Sequence, residues 1–430
     1  MDKLISKKLF KLALVVLFIT FCKNSYGQLP EFHGFIEADY GIKISDDKTK
    51  RDSFNLLEQR LQLKTTYLFK GDNYLADKGG VINFKSDFLV DEYFSGKTDF
   101  DLREINLSLT PFDIIDLKLG RQILTWGTGD YLFINDMFSK DYVSFFIGRD
   151  DEYLKKPSDA IKLSFYPDMV NIDFVIIPSF TANNHAQGDR VSFFDSFQGG
   201  IAGLASDRHL VHPSSRLSNS EYALRFYRNF GSNEIAAYYF RGFDKSPRSY
   251  KNEAERQLYY ERLDVYGASI RGPIFQGIGN IEAGLVNSRE DSNGDNRLIE
   301  NSMFKAMLGY SKDLGNDLRI GLQYYYEQKL DYENYSSNLL PLDYFWDKHR
   351  HIVTNRITKL LINQTLMLSF FVFYSPSDKD GYARPSVTYD INDRWKITLG
   401  ANLPWGEDDI TEFGQMKKNK NIFTRVRFSF

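Results

Sequence analysis

A strict two-residue alternation constrains this chain more than any other feature. In "LLEQRLQLKTTYLF", Leu57, Leu61, Leu63, Thr65, Tyr67 and Phe69 share one phase. Glu58, Arg60, Gln62, Lys64 and Thr66 share the other. In "DLRIGLQYYYEQ", Leu318, Ile320, Leu322, Tyr324 and Tyr326 oppose Arg319, Gly321, Gln323, Tyr325 and Glu327. "DRWKITLGANLPW" repeats the pattern, with Trp395, Ile397, Leu399, Ala401 and Leu403 set against Lys396, Thr398, Gly400 and Asn402. Successive side chains of a strand point to opposite faces, so each segment has one apolar and one polar or charged face. A soluble sandwich also alternates. These segments, however, run about 9 to 14 residues, long enough to cross a bilayer when tilted.

The segments fall at 32–43, 54–69, 81–91, 101–110, 115–125, 159–166, 169–179, 220–229, 234–243, 258–271, 278–287, 301–311, 317–329, 350–360, 364–374, 381–390, 394–403 and 421–430. Their connections alternate in length. Short ones are "TPFD", "YPDM", "NFGSN", "SKDLGND" and "INDR"; long ones are 126–158, 180–219, 244–257, 288–300 and 330–349. Short turns at one end and long loops at the other predict an all-β fold, a transmembrane antiparallel barrel of eighteen strands. An even count places both ends on the same side. The phase is ambiguous in 234–243 and 350–360, which leaves sixteen strands as the alternative.

The remaining composition agrees. The chain has 27 Tyr and 36 Phe but a mean hydropathy of −0.40. Lys3, Lys7 and Lys8 precede an apolar run, Leu9 to Phe21, too short to span comfortably. Ser25 and Gly27 are small residues at −3 and −1, so residues 1–27 read as a secretory signal cleaved after Gly27. A membrane anchor, or a lipoprotein signal using Cys22, fits less well. Residues 28–430 then form one domain with no cysteine, since Cys22 is the single one. A net charge of −3 gives no sign of a nucleic-acid partner. In "NIFTRVRFSF", an amphipathic last strand ends in Phe430, as in clients of the barrel-assembly machinery.

By this phasing Arg60, Lys64, Lys85, Lys118, Lys162, Arg225, Arg319, Arg384, Lys396, Arg425 and Arg427 point inward. So do Glu58, Asp87, Glu104, Asp116, Asp173, Glu282, Glu327 and Asp390. A dry interior could not hold so many charges. A barrel this wide leaves an aqueous lumen.

One segment interrupts the sheet pattern. Between the strands at 115–125 and 159–166 lie some thirty residues rich in both carboxylates and aromatics. We read 127–158 as a third outer loop folded into the lumen, polar toward water and aromatic toward the wall. Tyr131, Phe133, Phe138, Tyr142, Phe145 and Phe146 would pin it. A helix is expected at about 136–146, capped by Asn135 or Asp136. The candidate constriction set on the loop is Asp130, Asn135, Asp136, Asp141, Arg149, Asp150, Asp151, Lys155 and Lys156. On the wall it is Arg60, Lys64, Lys85 and Lys118, with Asp136, Asp141, Asp150 and Asp151 facing the first three.

Within this stretch, Gly120, Arg121, Gln122, Trp126, Gly127, Asn135, Asp136, Lys156, Pro157, Tyr166 and Pro167 resemble a segment of outer-membrane porin-like families related to the alginate exporter. "EYALRFYRNFGSNEIAAYYFRGFDKSP" (221–247) is similar to the next hairpin of those families. The resemblance implies an eighteen-stranded barrel whose third loop narrows the bore, working as a monomer. Asp136-Met137 stands where the families have Asn-Pro. The balanced lumen also departs from the strongly basic lining of the alginate exporter.

These features favour a channel for small hydrophilic, charged or saccharide solutes in the cell outer membrane, surrounded by lipid and lipopolysaccharide. The rival is a non-channel barrel, an adhesin or scaffold using loops such as 180–219 and 330–349. The apolar stretch "FFDSFQGGIAGLASDRHLVH" would be its lid or partner surface. No catalytic constellation appears, and no cofactor is expected. His349 with His351 and His209 with His212 lack further ligands at metal spacing. "DSNGDN" (291–296) lacks the glutamate that completes a calcium loop.

Overall fold

The computed structural model describes residues 31–49, 53–69, 79–341 and 343–430. The expected signal, with Cys22 and the cleavage point at Gly27, lies outside them. Eighteen strands form one antiparallel sheet. They are β1 (His33–Lys43), β2 (Phe54–Phe69), β3 (Gly80–Asp91), β4 (Lys97–Phe112), β5 (Ile115–Ile123), β6 (Pro157–Phe165), β7 (Asn171–Ile177), β8 (Glu221–Phe230), β9 (Asn233–Phe243), β10 (Arg262–Ile274), β11 (Gly277–Ser288), β12 (Met303–Asp313), β13 (Leu318–Lys329), β14 (His349–Leu361), β15 (Leu366–Ser375), β16 (Asp380–Asp390), β17 (Trp395–Gly406) and β18 (Asn421–Ser429). Each pairs with the next, and β1 pairs with β18 from Phe35 opposite Ser429 to Lys43 opposite Asn421. Gly34 and Phe430 exchange two backbone hydrogen bonds of 3.0 Å at the end of this seam. Closure leaves the sheet no edge, which lipid requires because it offers nothing to unpaired backbone groups.

Every expected strand is present, and the sixteen-strand alternative is excluded. The largest boundary differences, four residues each, are at β4, which begins at Lys97 rather than 101, and at β10, which begins at Arg262 rather than 258. Gln257–Tyr259 leaves the barrel instead, pairing with His209–Val211 and Ser249–Asn252 in a small outer sheet.

The outward phase is apolar. Ile36, Ile281, Leu308, Leu322 and Leu399 are each more than half exposed. Tyr40, Tyr222, Tyr266, Tyr324 and Tyr374 ring this belt toward the long loops; Phe112, Phe230, Tyr389 and Trp395 ring it toward the short turns. An apolar band between aromatic girdles suits lipid and would drive association in water.

The inward phase carries the charges, with Glu37, Asp39, Glu58, Arg60, Asp87, Glu282 and Arg425 all buried. The two ambiguous strands now have a phase. In β9, Ala236, Tyr238 and Phe240 are buried while Ile235 is exposed. In β14, Ile352 and Thr354 are buried. Their inner faces are partly apolar because the loop 124–156 packs on them, so both faces of the strand read as apolar in sequence.

Candidate functional site: a constriction loop inside the barrel

The loop 124–156 leaves β5 and crosses the lumen before returning as β6. Its first anchor is a wall carboxylate. Glu282 of β11 accepts hydrogen bonds from Thr128 N (2.5 Å), Thr128 Oγ1 (2.9 Å), Asn135 N (2.9 Å) and Asn135 Nδ2 (3.1 Å). Gly127 makes this approach possible. Its φ is +80°, and a Cβ there would lie 2.7 Å from Glu282 Oε1. Trp126 then packs edge-on against Phe138, with ring centroids 5.1 Å apart, and tilts over Tyr238 of β9.

The wall is shaped to receive this turn. Gly267 of β10 and Gly284 of β11 lie opposite one another. A Cβ on Gly267 would fall 1.7 Å from Asn135 Oδ1, and one on Gly284 2.7 Å from Ile134 Cγ2. Two glycines facing inward thus form a seat for Ile134 and Asn135. Gly267→Ala is expected to push Asn135 off Glu282, raising single-channel conductance and lowering thermal stability in detergent. Gly200→Ala, where nothing lies within 4 Å, is the control and is expected to change neither.

The aromatic residues pin the loop as expected. Leu132, Ile134, Val143, Phe145, Phe146, Ile147 and Leu154 join the inward Met307, Tyr325, Ile352, Phe371, Phe373, Tyr382 and Phe423 in one buried cluster. Tyr131, Phe133 and Tyr142 pack on its margin. The helix is shorter than the sequence suggested. α1 spans Tyr142–Ile147, and its cap is Asp141, whose Oδ1 accepts from Ser144 N at 2.8 Å. Neither Asn135 nor Asp136 can cap it. The first is committed to Glu282. The second holds the buried Lys140 Nζ at 2.9 Å and accepts from Thr125 Oγ1 at 2.9 Å. Burial pushes the Lys140 ammonium pKa down, against the pull of Asp136. Gly148 ends the helix at φ +95°.

The charges of the loop meet the wall at its far side, with partners other than those expected. Asp130 forms a bidentate pair with Arg356 of β14, one contact being 2.8 Å. Asp151 lies 2.8 Å from Arg384 Nη2 of β16. Asp150 accepts from both Arg425 and Arg427 of β18 at 3.0 Å. Glu152 lies 2.7 Å from Lys85 Nζ of β3. The expected opposition of Asp136, Asp141, Asp150 and Asp151 to Arg60, Lys64 and Lys85 is therefore corrected. Asp136 and Asp141 are spent within the loop and on its cap. Arg60 bonds Asp87 at 2.8 Å and stacks on Tyr153 at 4.0 Å. Lys85 does meet the loop, but at Glu152. Lys64 is exposed, away from these contacts. Lys118 lies further toward the short turns, in a cavity of about 670 Å³ with Asp116, Lys162 and Ser164, so it lines the lumen but not the constriction.

Arg149, Lys155 and Lys156 fasten the loop rather than face water. Arg149 Nε bonds Glu58 at 2.9 Å. Lys155 Nζ donates to Thr125 Oγ1 at 2.7 Å, closing the loop's neck, and Lys156 Nζ donates to Ala182 O at 2.9 Å. Tyr131 was read only as a packing residue, yet it organises the charges. Its φ is +62°, a costly conformation for a bulky side chain. Its ring lies 4.8 Å from the Arg356 guanidinium and 5.4 Å from that of Arg384, and its hydroxyl bonds Asp151. Burial raises its phenol to about 12, so it stays a donor. Burial opposes ionisation of Asp151, but Arg384 and the Tyr131 hydroxyl outweigh it and hold the carboxyl below its usual range. Arg103, also missed, donates to the Glu152 and Lys155 carbonyls at 3.0 and 2.9 Å. Inward parity pointed to Arg384, Arg425 and Arg427 as lumen residues; nothing local in sequence ties them to this loop.

The result is a partition across a wet barrel, apolar where it rests on the wall and lined on its other edge by opposed carboxylates and guanidiniums. No known protein-family profile matches the chain, and no curated protein matches it in sequence. Solved structures match in shape. OccAB4 of Acinetobacter baumannii is 10% identical with a TM-score of 0.57, covering 93% of this chain and 98% of that one. OccAB3 of the same organism is 10% identical with a TM-score of 0.55, covering 93% and 99%. OccD3 (OpdP) of Pseudomonas aeruginosa is 9% identical with a TM-score of 0.55, covering 95% and 92%. At these identities the likeness establishes a shared architecture, a closed eighteen-stranded barrel matched over nearly its whole length.

Proposed function

We propose that the protein is an outer-membrane channel for passive diffusion of small hydrophilic solutes, with the loop 124–156 as its constriction. The observation that carries this reading is the loop's placement. Asp130, Asp150, Asp151 and Glu152 cross the lumen to meet Arg356, Arg384, Arg425, Arg427 and Lys85 on β14, β16, β18 and β3. A row of opposed charges in a narrow wet passage makes a transverse field that favours polar or charged solutes over apolar ones. It acts over about 8 Å at physiological ionic strength. The similarity of 120–167 to porin-like families related to the alginate exporter supports a channel. Its near balance of charge argues against a long polyanion as cargo. We further propose that the chain works as a monomer among lipopolysaccharide, and that its last strand, ending in Phe430, is its address for the barrel-assembly machinery.

Reconstitution in planar bilayers with liposome swelling tests the reading. Stepwise conductance and uptake of small sugars and amino acids are expected. Asp150→Asn with Asp151→Asn uncovers Arg384, Arg425 and Arg427 and is expected to shift ion selectivity toward anions. A correctly assembled barrel that passes neither ions nor solutes would refute the channel and favour the scaffold reading.

A further inference from the structure

The loop 124–156 is not the only element folded into the barrel. The outer loop 178–220 comes down beside it. Ser139 Oγ donates to Thr181 O at 2.6 Å, Asn184 N to Lys140 O at 2.8 Å, and Tyr142 N to Asn184 O at 2.8 Å. Asn184 Nδ2 also bonds the capping carboxylate of Asp141 at 2.8 Å. The two loops are laced together by their backbones before either reaches the wall.

Among their wall contacts, one residue takes an arginine from each loop. Glu58 of β2 is 1% exposed. Its carboxylate takes Arg149 of the first loop, with Nε at 2.9 Å and Nη2 in close contact. It takes Arg190 of the second loop at 2.7 Å and Arg60 of its own strand at 3.4 Å. Arg190 continues to Asp91 of β3, and its guanidinium lies 4.7 Å from the Tyr93 ring. Arg60 continues to Asp87. Three guanidiniums are thus balanced by three carboxylates in a buried space. Glu58 is the only one of the three carboxylates that touches both loops among the described residues. Removing one member of a buried charge network leaves its partners desolvated and unpaired, so such a node is held strongly or lost as a unit.

We propose that Glu58 is the positioning residue of the constriction: it latches both inserted loops to the wall, and its neutralisation frees the second loop to lift away from the outer mouth. The stretch from Asp189 to Asp195 is the part that moves. It is held by Arg190 below and by a reciprocal pair above, Ser192 N to Asn419 Oδ1 and Asn419 Nδ2 to Ser192 O, each 2.8 Å. Val191 and Phe193 are buried beneath it. The stretch "FFDSFQGGIAGLASDRHLVH" therefore begins as a lid resting on this protein's own mouth. The inference rests on the channel reading for its effect on conductance, but not for the latch itself.

The test uses the full-length assembled barrel, with Glu58→Gln, Arg149→Gln and Arg190→Gln. Glu58→Gln keeps size and an acceptor but removes the charge. Arg190 is 4% exposed, so trypsin cannot reach the bond after it while the lid is down. Glu58→Gln is expected to make cleavage at Arg190 fast, to raise open-channel noise, and to add spontaneous conductance steps. Arg190→Gln is expected to give the same noise through the second loop alone. Arg149→Gln loosens the first loop and is expected to alter conductance with slower cleavage at Arg190 than in Glu58→Gln. If Glu58→Gln fails to assemble, the two arginine variants decide. Arg190→Gln no longer offers trypsin that bond and is read by its trace alone. Wild-type protection at Arg190 in assembled Glu58→Gln or Arg149→Gln, together with a wild-type trace in every assembled variant, overturns the proposal. Fast cleavage in a barrel that never conducts would leave the latch standing and remove the channel.

Discussion

Replacing residues 130–155 with a short Gly/Ser link raises single-channel conductance severalfold in planar bilayers and removes ion selectivity at the same time. The two effects share a cause. The segment carries the carboxylates that meet Arg356, Arg384, Arg425, Arg427 and Lys85, and it carries the bulk of Phe145, Phe146 and Leu154 across the bore. Without it the passage widens to the wall, and solutes move further than a screening length from the remaining charges. The excision spares Thr128 and every barrel strand, so heat-modifiable gel mobility should show an assembled barrel. Unchanged conductance and uptake would show that the narrowest point lies elsewhere.

Leu399→Arg lowers barrel stability by about 2–4 kcal/mol in a folding titration, because it places a cation in the hydrocarbon layer. Leu399 is 54% exposed on the outward phase of β17, directly opposite Val387 on β16. Ser386, one residue from Val387 and on the inward phase, faces the lumen opposite Gly400. Ser386→Arg is expected to cost far less, since that side chain meets water. Equal costs would mean that the assigned phase of these strands is wrong, and with it the identity of the lining.

The strands were legible because the chain obeys one rule along nearly all of its length. Alternation, length and the alternating turns located the strands within a few residues. The rule blurred only at 234–243 and 350–360, and for the same reason. Tyr238, Phe240 and Ile352 point inward but meet Trp126, Phe138 and the buried face of the loop rather than water. A wall strand that supports a plug looks apolar on both sides. The presence of an inserted loop was readable from its mixed composition, and Asp130, Asp150 and Asp151 do meet wall cations. Which cations could not be read. Asp150 and Arg425 stand 275 positions apart, and Asp130 and Arg356 226 apart. No local pattern encodes such a pairing. The glycine seat at Gly267 and Gly284 escaped notice as well, because a glycine in a strand says only that something comes near. The helix was misplaced for a different reason. Asn135, Asp136 and Asp141 are all plausible caps, and the choice fell to the residue not already claimed by Glu282 or Lys140.

The same separations set an order of events in assembly. The loop joins β5 to β6, yet its acidic edge is satisfied by β14, β16 and β18, the last parts of the barrel to be made. Until those strands arrive, Asp150 and Asp151 have only local partners within the loop, Glu152 N and the Tyr131 hydroxyl, and no cation. Non-local contacts of this span come late because the chain between them must first be ordered. The seam between β1 and β18 therefore does more than remove an edge. Arg425 touches Asp39 at 3.1 Å across that seam while its other arm holds Asp150. Zipping the last strand to the first therefore also completes the docking of the loop's acidic edge, and a barrel stalled before closure is expected to carry a loop whose Asp150 is not yet held by Arg425.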